Sequence, residues 1–64
     1  MPQIERYILL HHNQRSYEFH NFEDSDDRAI RNAINALERD LGMVRGGLVK
    51  YFRNNPDNII VRIK

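Results

Sequence analysis

The sequence predicts an α+β fold of order ββαββ: an antiparallel four-stranded sheet with one helix packed on one face. Three observations carry it. Runs rich in β-forming residues lie at both ends, an apolar stripe at helical spacing lies between them, and turn-forming residues separate the parts. Sixty-four residues, 41% hydrophobic and 30% charged, suit a single domain over 1–64. A chain of this size buries only about 60% of the surface its unfolded form exposes, so its core is small.

The first run, Ile4 to His12, and the second, Arg15 to Phe22, flank Asn13 and Gln14 and read as a β-hairpin. With those two residues as the loop, His12 faces Arg15, Leu10 faces Tyr17, Ile8 faces Phe19 and Tyr7 faces His20. Side chains alternate along a strand, so Ile8, Leu10, Tyr17 and Phe19 share a core face. Tyr7, His11, Glu18 and His20 share the open one. Asp24, Ser25, Asp26 and Asp27 then supply a capping oxygen and negative charge for a helix start. Ile30, Ala33, Ile34, Leu37 and Leu41 recur every three or four residues, predicting a helix from Ser25 to Leu41 closed by Gly42.

The run Met43 to Arg53 reads as a third strand, with Gly46 and Gly47 marking a bulge or a close backbone approach. Asn54 to Asp57 form a turn around Pro56, and Ile59 to Lys64 closes as the fourth strand, pairing Phe52 with Ile59 and Tyr51 with Ile60. On that register Leu48, Phe52, Ile59, Val61 and Ile63 face the core, with Lys50 as a misfit whose stem must snorkel. Arg45, Val49, Tyr51, Arg53, Ile60, Arg62 and Lys64 join Tyr7 and His20 on the open face.

Charge is uneven although its sum is +1. Residues 21–41 carry three arginines against six acids, a net −3, whereas 42–64 carry five cations against Asp57, a net +4. Without cysteine there is no disulfide framework, thiolate nucleophile or sulfur-based zinc site, which points to a cytoplasmic home. The opening residues interrupt their apolar stretch with Glu5 and Arg6, so neither a signal peptide nor a membrane span is expected.

An open sheet face of tyrosines and cations has the chemistry for single-stranded or looped RNA, since rings stack on bases and cations meet phosphates. The expected RNA-binding residues are Tyr7, Arg45, Tyr51, Arg53, Arg62 and Lys64, and DNA offers the same phosphates. A bland reading stands beside it, because tyrosine and arginine also pair well across ordinary half-buried strands. His11 and His20 with Glu18 invite a metal or an acid–base pair. They fall two residues out of register and match no ligand spacing, so no metal, cofactor or catalytic residue is expected. Asp27 and Arg31 form a helical i,i+4 pair on the outer side of the helix.

The segments Arg6-Tyr7-Ile8-Leu9-Leu10, Arg28-Ala29-Ile30-Arg31-Asn32-Ala33, Gly42, Gly47-Leu48-Val49-Lys50-Tyr51-Phe52 and Ile59-Ile60-Val61-Arg62 resemble, in order and rough spacing, protein component 2 of archaeal and eukaryotic ribonuclease P. That resemblance implies an RRM-like α/β sandwich that supports a catalytic RNA in trimming precursor tRNA, beside a partner protein. Chemistry in such a particle belongs to the RNA. The hairpin-like run Arg15 to Phe22 departs from the family pattern. The resulting expectation is a non-catalytic RNA-binding accessory subunit of a ribonucleoprotein. The rival is a protein-interaction module that homodimerises or docks a partner through its open sheet face or an edge strand.

Overall fold

The computed structural model describes residues 4–63. Strand β1 (Arg6–His12) and strand β2 (Arg15–Asn21) form the hairpin in the expected register, including Tyr7 with His20 and Leu10 with Tyr17. Asn13 and Gln14 close it with φ of 52° and 64°, the pair of positive values that a two-residue type I′ turn demands. Helix α1 (Asp26–Asp40) begins where Ser25 Oγ accepts the Arg28 amide at 3.3 Å. It ends in a Schellman motif: the Met43 amide reaches back to Glu38 O at 2.8 Å, the Gly42 amide to Arg39 O at 3.1 Å, and Gly42 takes φ 69°.

The expected third strand is not one. Met43–Gly47 turns back on itself, the Gly47 amide bonding Val44 O at 2.9 Å, and a second helix, α2 (Val49–Asn54), follows. The reason lies in the choice of period. Read with period two, Leu48, Lys50 and Phe52 all point inward; read with the helical period, Leu48 and Phe52 face inward four residues apart while Lys50 turns outward. The structure takes the second solution, with Leu48 and Phe52 buried and Lys50 exposed. The misfit lysine was the sign that the strand reading was wrong. The close backbone approach expected at the two glycines is present at Gly47 alone, where a Cβ would lie 3.0 Å from Val44 O; nothing lies within 4 Å of one on Gly46, which instead takes φ 90°.

A 3-10 turn over Pro56–Asn58 leads into β3 (Ile59–Ile63), which pairs antiparallel with β1 rather than with residues 48–53. The sheet is therefore three-stranded, order β2-β1-β3, and the four-stranded ββαββ arrangement is corrected to ββααβ. Since both outer strands run antiparallel to β1, β2 and β3 are parallel to each other. The helices make the crossover between them.

Ile8 and Leu10 from β1, Ala29, Ala33, Ile34 and Leu37 from α1, and Leu48 and Phe52 from the α2 region form the buried core. Tyr17, Phe19, Ile30, Val49, Ile59 and Val61 pack around it. Leu41 and Ile63, both expected inside, are exposed, because α1 stops before Leu41 and β3 outruns the helices. Among the described residues no helix is long and apolar enough to cross a membrane.

Candidate nucleic-acid interface

Both helices contribute to the core on one side of the sheet, which leaves the opposite face uncovered. Alternation places Tyr7, Leu9 and His11 of β1, Ser16, Glu18 and His20 of β2, and Ile60 and Arg62 of β3 on that open face. Tyr7 occupies the middle strand, in register with His20 on one side and Arg62 on the other. Its ring meets the His20 imidazole edge-on at 4.9 Å between centroids. The Glu18 carboxylate, which takes a hydrogen bond from the phenol, raises the Tyr7 pKa above the ordinary tyrosine value; desolvation adds to this and Arg62 opposes it.

The charges on this face are sorted by strand. The β2 side is acidic: Glu18 lies beside Tyr7, and Glu5 Oε2 comes within 3.7 Å of His20 Nδ1. The β3 side is basic, through Arg62. A polyanion would therefore approach along β3 and reach the Tyr7 ring from that side.

Of the six residues expected to bind RNA, the structure brings two together. Tyr7 and Arg62 are cross-strand partners on the open face. Lys64 lies outside the described residues. Arg45, Tyr51 and Arg53 leave this face, because the segment that carries them is a loop and a helix on the core side of the sheet. Tyr51 is committed to structure: its ring packs edge-on against His12 at 5.0 Å and Phe52 at 5.1 Å, and its hydroxyl accepts from Asn58 Nδ2 at 2.9 Å. Arg45 instead lines a recess with Asn35, Glu38, Arg39 and Met43. Arg53 lines a groove between α1 and α2.

His11 and His20 share the open face but stand four residues apart along the hairpin, not two, which is roughly 13 Å. His11 is engaged separately, with Nδ1 2.8 Å from Ser16 Oγ. The expected Asp27–Arg31 ion pair does not form among the described residues.

Sequence reasoning missed Glu38. It lies off the apolar stripe of Ile30, Ala33, Ile34, Leu37 and Leu41, yet it is 1% exposed, and its two carboxylate oxygens accept the Gly46 amide at 2.9 Å and the Leu48 amide at 2.8 Å. This clamp brackets Gly46 to Leu48 at the entry to α2 and holds Arg45 beside Arg39. One signal was present. Glu38 follows the buried Leu37 directly, and a loop with two glycines presents backbone amides that need an acceptor once buried.

No protein-family model matches the chain, and no curated protein or solved structure matches it either.

Proposed function

We propose that this chain is a non-catalytic RNA-binding domain, an accessory subunit of a ribonucleoprotein, working through the open face of its sheet. The observation that carries the reading is the placement of Tyr7 on the middle strand of an uncovered sheet, flanked by an imidazole and a guanidinium. A base stacks on the phenol ring while Arg62, with Lys64 beyond it in sequence, takes the adjoining phosphates. The resemblance to ribonuclease P protein component 2 makes precursor tRNA the first RNA to try, and the absence of cysteine accords with a cytoplasmic setting.

The test is fluorescence anisotropy of labelled single-stranded and tRNA-like RNAs, at low and near-physiological salt, against the wild type and a Tyr7→Ala/Arg62→Ala variant. With one or two phosphates neutralised, the logarithm of affinity falls with that of salt at a slope of about −0.7 to −1.4. The double variant loses binding and keeps its circular dichroism spectrum. A second surface has a specific observation behind it: Arg39 and Arg45 flank Asn35 around one recess and neither is ion-paired among the described residues. Binding that survives the sheet variant and disappears with Arg39→Ala/Arg45→Ala assigns RNA to that side. Absence of binding at low salt rejects the reading altogether.

A further inference from the structure

The groove between α1 and α2 has an apolar floor and a charged rim. Ile30 and Ile34 of α1, Val49 and Phe52 of α2 and Ile59 of β3 line it, with Arg31 and Arg53 against Asp27 at the edge, a net charge of +1. Neither arginine has an ion-pair partner among the described residues. Such a groove suits a bulky apolar side chain followed by carboxylates.

The chain itself carries that ligand. Phe22, which follows β2, is 53% exposed, and Glu23 and Asp24 come directly after it. The connection is braced rather than slack. Asn21 Nδ2 donates to Ala29 O at 3.2 Å, Asn21 Oδ1 accepts the Glu23 amide at 3.4 Å, and Arg6 donates to Glu23 O while its Nε pairs with Asp26 at 2.8 Å. The chain on both sides of Phe22 is thus held, which lowers the backbone ordering cost of docking. Val44 and Ile63, 83% and 64% exposed, are the more exposed apolar side chains, but Arg45 beside the one and Arg62 beside the other would bring like charge to the arginine rim.

We propose that copies of this chain associate head to tail, Phe22 of one entering the α1–α2 groove of the next with Glu23 and Asp24 against Arg31 and Arg53. The two surfaces differ, so the contact is heterologous, and it closes into a ring or propagates as a filament. The proposal uses none of the residues assigned to RNA on the open sheet face.

Sedimentation of the purified full chain without RNA tests it. The average mass rises with concentration from the 7.7 kDa of a monomer. Phe22→Ser, a change at an exposed position, and Arg31→Glu/Arg53→Glu, a reversal of the rim, each stay at monomer mass. An equimolar mixture of the two variants restores one intact contact, Phe22 of the rim variant in the groove of the Phe22→Ser chain, and gives a species of twice the monomer mass and nothing larger. A wild type that stays monomeric at every concentration overturns the proposal and leaves the groove to an acidic segment of a different protein. Self-association undiminished in Phe22→Ser overturns it as well. Since no RNA is present, failure here is distinct from failure of the RNA-binding reading.

Discussion

The hairpin Arg6–Asn21 and the segment Met43–Asn58 are stabilised by different kinds of interaction. In the hairpin, seven register pairs form around a two-residue turn, so β2 and the facing edge of β1 are held by residues close in sequence, and only the other edge of β1 waits for β3. The later segment joins no sheet. It is held by a carboxylate from α1, by two buried side chains, Leu48 and Phe52, and by Asn58, whose Nδ2 also reaches His11 O at 3.1 Å. The difference separates a unit that local rules specify from one that exists because distant groups receive it. Variants that remove those distant groups should open residues 43–58 first.

The largest effect is expected for Phe52→Ala. Phe52 is 1% exposed and bridges α2 to the sheet core, and such truncations cost about 3–5 kcal/mol. A single core in a domain of this size supplies about the same amount. The variant should therefore be largely unfolded in water, read as loss of the cooperative urea transition. Phe19→Ala on the hairpin, where the ring is only partly buried, should leave a measurable transition. Equal losses would mean that the two regions share one core without distinction.

Glu38→Ala comes second. It leaves the Gly46 and Leu48 amides without their acceptor, at about 1–3 kcal/mol for each donor that stays buried. Amide hydrogen exchange should show protection lost at those two residues and retained across β1 and β2. A uniform loss over the whole chain would show that the clamp supports the global fold and not the loop alone. Glu38→Gln should fall between, because one oxygen of the amide still accepts while its NH2 group faces a backbone donor.

These two variants also mark where the sequence was legible. The hairpin register, a capping oxygen among Asp24 to Asp27, the apolar stripe of α1 as far as Leu37 and the left-handed Gly42 are all readable, because each is set within a few neighbouring residues. Residues 43–53 are not. Leu48, Phe52 and Val49 satisfy a strand pattern almost as well as a helical one, and the choice depends on a carboxylate ten residues upstream and on β3 taking the free edge of β1. The candidate site divided along the same line. Tyr7 and His20 meet because the hairpin register places them, and alternation keeps Arg62 on their face, but it reaches Tyr7 only because β3 takes the edge of β1; Arg45, Tyr51 and Arg53 go to the helical side with residues 43–53.

A smaller change sharpens the comparison from the hairpin side. Gln14 holds φ 64° without being glycine, and a left-handed residue with a Cβ carries a penalty of about 1–2 kcal/mol. Gln14→Gly completes the Asn-Gly pair that type I′ turns favour, and part of that penalty returns as lost unfolded-state entropy. The expected net gain is about 0.5–1 kcal/mol, seen as a higher urea midpoint at unchanged slope. If the hairpin is as locally determined as its geometry implies, adding this change to Glu38→Ala should be additive.

The smallest effect is read at Tyr7, where the hairpin and the strand that follows the later segment act on one group. Glu18, from the hairpin, favours the neutral phenol, and Arg62, from β3, favours the phenolate; the first prevails and the pKa lies above the ordinary value. A folded-state pKa above the unfolded one means that folding favours the protonated form. The contribution to stability is then fully present below the unfolded value of about 10 and is lost as pH rises through the folded value. Ring-carbon resonances resolve the three tyrosines separately across such a titration. Tyr7 should titrate above tyrosine in the unfolded chain, Glu18→Gln should bring it down, and Arg62→Ala should push it further up. Opposite shifts of these two variants would confirm that β3 seats Arg62 against the hairpin face as the register requires. If Arg62→Ala leaves Tyr7 unmoved, the guanidinium points away from the ring, and the sheet face loses the cation on which its reading as an RNA surface rests.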